Sequence, residues 1–218
     1  MDIQLLAAQL CKPDGEYGKE VGEMMNKGNE HINLWAIDAL KLQPNDTLLE
    51  IGMGNGFFVK EILAKDGSIS YKGFDYSELM VNEALELNKE SVEKQRAEFR
   101  AGSANKLPYA DHSFSKILTV NTIYFWRNAK EELSEIRRVL KRDGSFVIAV
   151  RTKDAMKQLP FTEFGFVKYD KQQLETLLKE NGFDIFETYQ KNEPAITVNG
   201  HTMQMENIIT RCTVSVPY

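Results

Sequence analysis

Cysteine, histidine and tryptophan are scarce in this chain: two, three and two among 218 residues. Cys11 and Cys212 lie near opposite ends, so they lack metal-ligand spacing, and nothing asks for an oxidising compartment. His31, His112 and His201 are scattered and build no zinc cluster, so no metal is expected. Long apolar runs are missing too. The longest, about "FVIAV", falls far short of the roughly 20 residues that span a bilayer. The opening "MDIQLLAAQLC" has no basic leader, carries Asp2, and puts bulky Leu10 before Cys11, so it does not read as a secretion signal. A cytoplasmic protein with no membrane partner is the expectation.

A surplus of positive charge is also missing. The net charge is −5, from 27 basic and 32 acidic residues. Such a chain is a poor counterion for a phosphate backbone, which disfavours nucleic acid as a partner. Its densest basic cluster is Arg137, Arg138, Lys141 and Arg142. It falls at the end of a predicted helix, where cations complement exposed carbonyls. The 42% hydrophobic and 27% charged content is ordinary for a globular chain. That length and composition fit one domain with a full core.

What is present is an alternation. Ile3, Leu6 and Leu10 have helical spacing, "KPDGEYG" breaks the pattern, and Leu34, Ile37 and Leu40 mark a helix over about 29–40. Strand and helix patterns then take turns: strand 47–51, helix 57–64, strand 71–74, helix 78–88 capped by Ser77, and a short strand around Phe99. Strand 116–120, helix 129–141, a turn at Gly144 and "SFVIAV" follow. Helix 171–181 stops at Gly182. "DIFETYQ" and "NIITRCTVSV" alternate like strands, joined by a linker with Pro194 and Gly200. This order predicts an α/β fold: a mostly parallel sheet covered on both faces, with an antiparallel pair at one edge. Residues 1–44 read as a helical addition or lid, and residues 45–218 as the main domain.

In "LLEIGMGNGFFVKEILAK" three glycines, Gly52, Gly54 and Gly56, separate the first strand from a helix. Ligands of open α/β sheets bind at the carboxyl ends of the strands, beside the switch point, and this turn lies there. Glycine lets main chain approach a ligand closely. The spacing G-x-G-x-G fits neither the dinucleotide fingerprint G-x-G-x-x-G nor a phosphate loop. Asp75, ending the second strand, is placed to accept from ribose hydroxyls, about 20 residues beyond the glycines. The plainer reading of Asp75 is an acid at a helix start.

"EIGMGNG" followed by "GFDYS" resembles the class I S-adenosylmethionine-dependent methyltransferases. "GSANKLPYADHSFSKILTVNTIYFW" and "ELSEIRRVLKRDGSFVIAV" are similar to that family's later motifs, in the right order, over about residues 45–190. The nearest flavour is the small-molecule branch that includes quinone-biosynthesis methyltransferases. The resemblance implies a Rossmann-like, doubly wound fold and S-adenosylmethionine as cofactor. It places Glu50 at the amino acid end and the backbone of Gly52 and Gly54 under the methionine. Asp75 takes the ribose, Tyr76 flanks the adenine, Ser103 and Ala104 border its edge, and Asn121 stands at the end of the fourth strand. Ser103 departs from the acid that the family often has there, and Ser115 from an Asp.

Methyl transfer from a sulfonium needs alignment and water exclusion more than a strong catalyst. The expected acceptor is a small molecule. "NTIYFWRN" supplies Tyr124, Phe125 and Trp126 as aromatic walls, with Tyr124 also a candidate catalytic group; the plainer reading is core packing. Tyr17, Asn26 and His31 are polar groups on the lid. His31 is the candidate base and His201 a weaker one; the plainer reading of His31 is a surface helix histidine. Rival readings are a non-catalytic S-adenosylmethionine-binding module and an NAD-dependent oxidoreductase. A homo-oligomer stays open.

Overall fold

The computed structural model describes residues 2–198 and 201–215; Gly200, Val216 and the side chain of His201 lie outside that description. Three helices come first: α1 (Ile3–Cys11), α2 (Gly15–Gly28) and α3 (Glu30–Ala39). Then follow β1 (Thr47–Ile51), α4 (Val59–Leu63), β2 (Ser70–Asp75), α5 (Glu78–Leu87), α6 (Lys89–Glu93) and β3 (Ala97–Ala101). The second half contains β4 (Phe114–Val120), α7 (Ala129–Val139), β5 (Leu140–Arg151), α8 (Lys153–Lys157) and α9 (Lys171–Glu180). It ends with β6 (Phe183–Asn192), a hairpin of β7 (Ile196–Val198) and β8 (His201–Met203), and β9 (Glu206–Val214).

The main sheet has seven strands in the order β3-β2-β1-β4-β5-β9-β6. β1 pairs in parallel with both β2 and β4, so the chain order reverses between β1 and β4. β9 runs antiparallel to β5 and to β6. The sheet is Rossmann-like, doubly wound and mostly parallel, with an antiparallel edge.

Successive strand residues point to opposite faces, so each buried strand feeds two cores. Leu48, Leu118 and Val147 pack with Ile32, Ile37 and Ile62 on one side. Leu49, Ile117 and Ile148 pack with Leu133, Ile136 and Leu174 on the other. The cap at Ser77 is real: its Oγ accepts from Met80 N–H at 3.2 Å. Gly182 ends α9 at φ +80°, a conformation that favours glycine.

Several stretches differ from the pattern read in the sequence. The turn expected at Gly144 lies inside β5, which runs Leu140–Arg151, and α7 ends before it at Val139. The glycine-rich segment after Pro13 is the 14-residue α2. Its Gly18 and Gly22, one turn apart, face α5, where an added Cβ would meet Leu79 Cδ2 at 2.4 Å and Met80 Cε at 3.1 Å respectively. They are contact points for a close helix crossing, which outweighs glycine's low helix propensity. The late linker is also more ordered than its Pro and Gly suggest, since it carries the β7–β8 hairpin.

Candidate active site

A cavity of about 680 Å³ opens above the carboxyl ends of β1, β2 and β4. Its floor is the turn after β1; α1, α2 and the start of α3 contribute Leu10, Pro13, Gly22, Asn26, Asn29 and Asn33 as its roof. Its size falls within the range of small-molecule sites, about 300–1,000 Å³. The switch point between β1 and β4 places it there.

The three glycines of the turn have φ of +74°, +58° and +69°, all in the left-handed region. They serve different ends. A Cβ on Gly52 would stand 2.0 Å from Thr122 Cγ2. A Cβ on Gly54 would meet nothing within 4 Å, and Gly54 lines the cavity. Gly56 is turned away from the cavity and packs the turn against Asn88 and Ala84, 2.8 and 3.0 Å from where its Cβ would be. The expected three-glycine shelf is therefore two glycines wide, and the third supplies a close packing contact with α5.

Two acids stand beside the turn. Asp75 is 9% exposed, and accepts from Gly54 N–H at 2.9 Å through Oδ2 and from Ser77 N–H at 2.9 Å through Oδ1. Burial outweighs these bonds and pushes its pKa up to about 6. Glu50 is 4% exposed and accepts from the Tyr71 hydroxyl at 2.7 Å. Burial, aided by the nearby Asp75 charge, pushes Glu50 up to about 7 against that hydrogen bond. Each carboxylate oxygen has a second lone pair, so Asp75 can still accept from a diol. The donor set fits a cation. Among the described lining residues the acids are Glu50, Asp75, Glu131 and Glu132, and the basic residue is Arg127, which is exposed.

The end of β4 is an amide junction. Asn121 has φ +56°, a conformation that asparagine tolerates better than most residues. Its Oδ1 accepts from the Tyr124 hydroxyl at 2.9 Å and its Nδ2 donates to Asn29 Oδ1 at 3.2 Å. The Tyr124 hydroxyl accepts from Arg151 N–H at 2.5 Å, and Arg151 Nη2 donates to Gly28 O at 2.5 Å. The roof is thus bonded to the ends of β4 and β5. Asn33 donates to Asn29 O at 2.8 Å from a position that is 7% exposed.

Glu50, Gly52, Gly54, Asp75, Tyr76, Ser103, Ala104, Asn121 and Trp126 all line the cavity. Tyr124, His31 and Tyr17 do not belong to that lining. Tyr124 is 2% exposed and its hydroxyl is spent on Asn121 and Arg151. Burial raises its pKa further, and its hydroxyl holds the Asn121 amide. His31 stacks on Trp35 at 5.6 Å on an exposed helix face, and Tyr17 is 47% exposed on α2. Both corrections follow from helical phase: Asn26, Asn29 and Asn33 take the face of α2 and α3 that looks down. Phe125 joins Trp126 in the wall. Sequence reasoning passed over Asn29, Asn33 and Glu132. The available signal was a polar residue in register with an apolar stripe, as Glu132 is with Ile136 and Leu140.

Residues 49–148 match the family model of a methyltransferase domain. A putative methyltransferase, YrhH of Bacillus subtilis (strain 168), is 31% identical over 139 residues, covering 64% of this chain and 74% of that one. A carboxy-S-adenosyl-L-methionine synthase of Nautilia profundicola is 31% identical over 205 residues, covering 89% and 82%. In fold, the chain is similar to a structure described as a complex between the Haloferax volcanii Trm112 methyltransferase activator and the putative methyltransferase. The match has a TM-score of 0.79 at 17% identity, over 90% of this chain and 94% of that one. This chain belongs to the class I S-adenosylmethionine-dependent methyltransferases, and S-adenosylmethionine is its cofactor.

Proposed function

We propose that the protein transfers the methyl group of S-adenosylmethionine to a small-molecule acceptor inside the roofed cavity. The observation that carries this reading is the roof itself. The cavity of about 680 Å³ is lined by α1, α2 and the start of α3 as well as by the strand ends. A cofactor and a small acceptor fit such a space. The net charge of −5 gives no attraction toward nucleic acid.

When bound, the cofactor supplies an electrophilic methyl on a sulfonium. In this reading Asp75 accepts from the ribose hydroxyls while it holds the Gly54 N–H. Glu50 faces the ammonium, and Gly52 and Gly54 bring bare main chain beneath the methionine. Tyr76, Ser103 and Ala104 border the adenine. The amides of Asn26, Asn29 and Asn33 and the ring of Trp126 orient the acceptor. No side chain at the amide junction is a natural proton acceptor, so alignment and water exclusion carry the catalysis.

Residues 1–44 form the cover in this reading, and residues 45–218 the catalytic body. α3 packs on β4, β5 and β9, whereas α2 meets α5 and α1 meets the turn at Pro160–Glu163. Movement that admits ligands therefore belongs to α1 and α2.

Calorimetric titration with S-adenosylmethionine and its demethylated product, S-adenosylhomocysteine, should give one saturable site. Labelled methyl should then appear on a member of a small-molecule panel and not on bulk protein or RNA. Labelling of a macromolecule with the panel blank would overturn the small-molecule reading.

A further inference from the structure

Arg151, the last residue of β5, carries a cation to the place where the sheet meets the roof. Its side chain is 15% exposed, and that of Glu193, just beyond β6, is 12% exposed. Arg151 Nη2 donates to Gly28 O at 2.5 Å and lies 3.6 Å from Glu193 Oε1. One nitrogen thus faces two acceptors, one in the roof and one at the sheet edge. Glu193 is held on the sheet side: Asn207 Nδ2 donates to the same Oε1 at 3.0 Å, and Glu193 N–H donates to Met205 O at 2.8 Å.

The roof side of this contact is the end of a helix. Gly28 is the last residue of α2, and Asn29 is the joint to α3, where no side-chain bond caps α3. A cation at a helix C-terminus binds its exposed carbonyls. The hold on Gly28 therefore fixes α2 by its end, next to Asn29, whose amide lines the cavity and accepts from Asn121. The main chain of Arg151 serves the same junction, since its N–H also donates to Asn121 Oδ1 at 3.3 Å. Two further groups are left over here. Arg151 Nε and Asn207 Oδ1 are buried with no hydrogen-bond partner. Arg151 and Asn207 are register partners on β5 and β9, so their side chains leave the same face of the sheet.

We propose that Arg151 is the positioning residue of the roof: its guanidinium latches the end of α2 over the cavity, and passes to Glu193 and Asn207 when α2 lifts. The inference rests on the reading of residues 1–44 as a cover. It gives the spare donor Nε and the spare acceptor Oδ1 a use, as the second seat of the guanidinium. The cation is paired in both seats, so opening leaves no bare buried charge. Gly28 O and Glu193 compete for one nitrogen, so weakening either acceptor strengthens the hold of the other.

The latch is read by stopped-flow binding and displacement of S-adenosylhomocysteine, followed by tryptophan fluorescence. Arg151→Gln should quicken both entry and release, each about threefold to tenfold, and leave the Kd within about threefold. A site that is merely weakened releases faster without filling faster. Glu193→Gln keeps an acceptor but removes the charge that draws Arg151 away from Gly28, and should slow both steps. The double variant leaves no buried charge unpaired and should match Arg151→Gln, because Glu193 acts only through Arg151; it carries the same prediction where the single variant does not fold. In the free protein, amide hydrogen exchange should quicken across α2 in Arg151→Gln and slow there in Glu193→Gln, with α3 unchanged. Rates that move the same way in both single variants, or exchange in α2 that neither variant alters, overturn the latch. If S-adenosylhomocysteine does not bind the folded wild type, the cofactor reading fails, and the exchange result alone decides for or against the latch.

Discussion

Gly52 and Gly54 sit two residues apart in one turn and need glycine for different reasons. At Gly52 both conformation and space are limiting: φ is +74°, and an added methyl would enter Thr122, whose hydroxyl is tied to Thr119. Gly52→Ala should therefore lose about 2–4 kcal/mol of stability, read as a shift in the denaturant midpoint. At Gly54 only the conformation is limiting, at about 1–2 kcal/mol, and the methyl would project into free space. Gly54→Ala should keep most of its stability and lose affinity for S-adenosylhomocysteine; wild-type affinity would mean the ligand does not cross Gly54. Asp75 couples the two roles, since it holds the Gly54 and Ser77 N–H groups while facing the cavity. Asp75→Ala should weaken the same ligand by about 1–3 kcal/mol, the cost of unpaired polar groups. Unchanged calorimetric affinity in a folded variant would put the ribose elsewhere.

Among the elements, α2 decides how tightly the cavity is roofed. It is clasped to α5 by Gly18 and Gly22, by Ser77 Oγ donating to Pro13 O at 2.5 Å, and by Lys19 with Glu83 at 2.7 Å. The exposed ion pair adds little; the close crossing and the buried hydroxyl do more. A methyl at Gly18 would press on Leu79 Cδ2 and on the Pro13 main chain, at 2.4 and 3.1 Å. Gly18→Ala should lift α2 and speed release of S-adenosylhomocysteine several-fold in stopped-flow displacement; an unchanged release rate would show that α2 does not gate the site. This helix was also the least legible element. Gly15 and Gly18 read as breaks when only propensity is counted, and the α5 surface that needs Gly18 is about 60 residues away in the chain. The buried strands, the Ser77 cap and the Gly182 stop were legible, since each rests on local pattern. Glu50 and Asp75 could be named as candidates because they lie at the carboxyl ends of β1 and β2, and the glycines because they follow β1. His31 and Tyr17 were misplaced because polarity names candidates but helical phase decides which face they take. Glu132 was missed because only packing shows that its oxygen is unpaired.

At the scale of the whole molecule, the buried acids link folding to ligand binding through protons. Glu50 moves from its ordinary 4.5 to about 7, and Asp75 from 3.8 to about 6, both mainly through burial. Their folded values lie above the unfolded ones. Between about pH 4 and 7 the folded chain holds protons that the unfolded chain has released, so each step upward in pH lowers the stability of the free protein. Their contribution is full below the unfolded values and gone above the folded ones. A cationic ligand that accepts the field of Glu50, with a diol on Asp75, favours both carboxylates and lowers both pKa values. Binding then releases protons, and affinity rises with pH until the free-state values near 6 and 7 are passed. The melting-temperature shift given by S-adenosylmethionine should therefore grow from pH 5.5 to 7.5 and level off above, while the free protein's own melting temperature falls over the same interval. Glu50→Gln should flatten the part of the rise near pH 7 and leave the part near pH 6. A ligand shift that is constant from pH 5.5 to 7.5 would show that neither acid meets the cofactor.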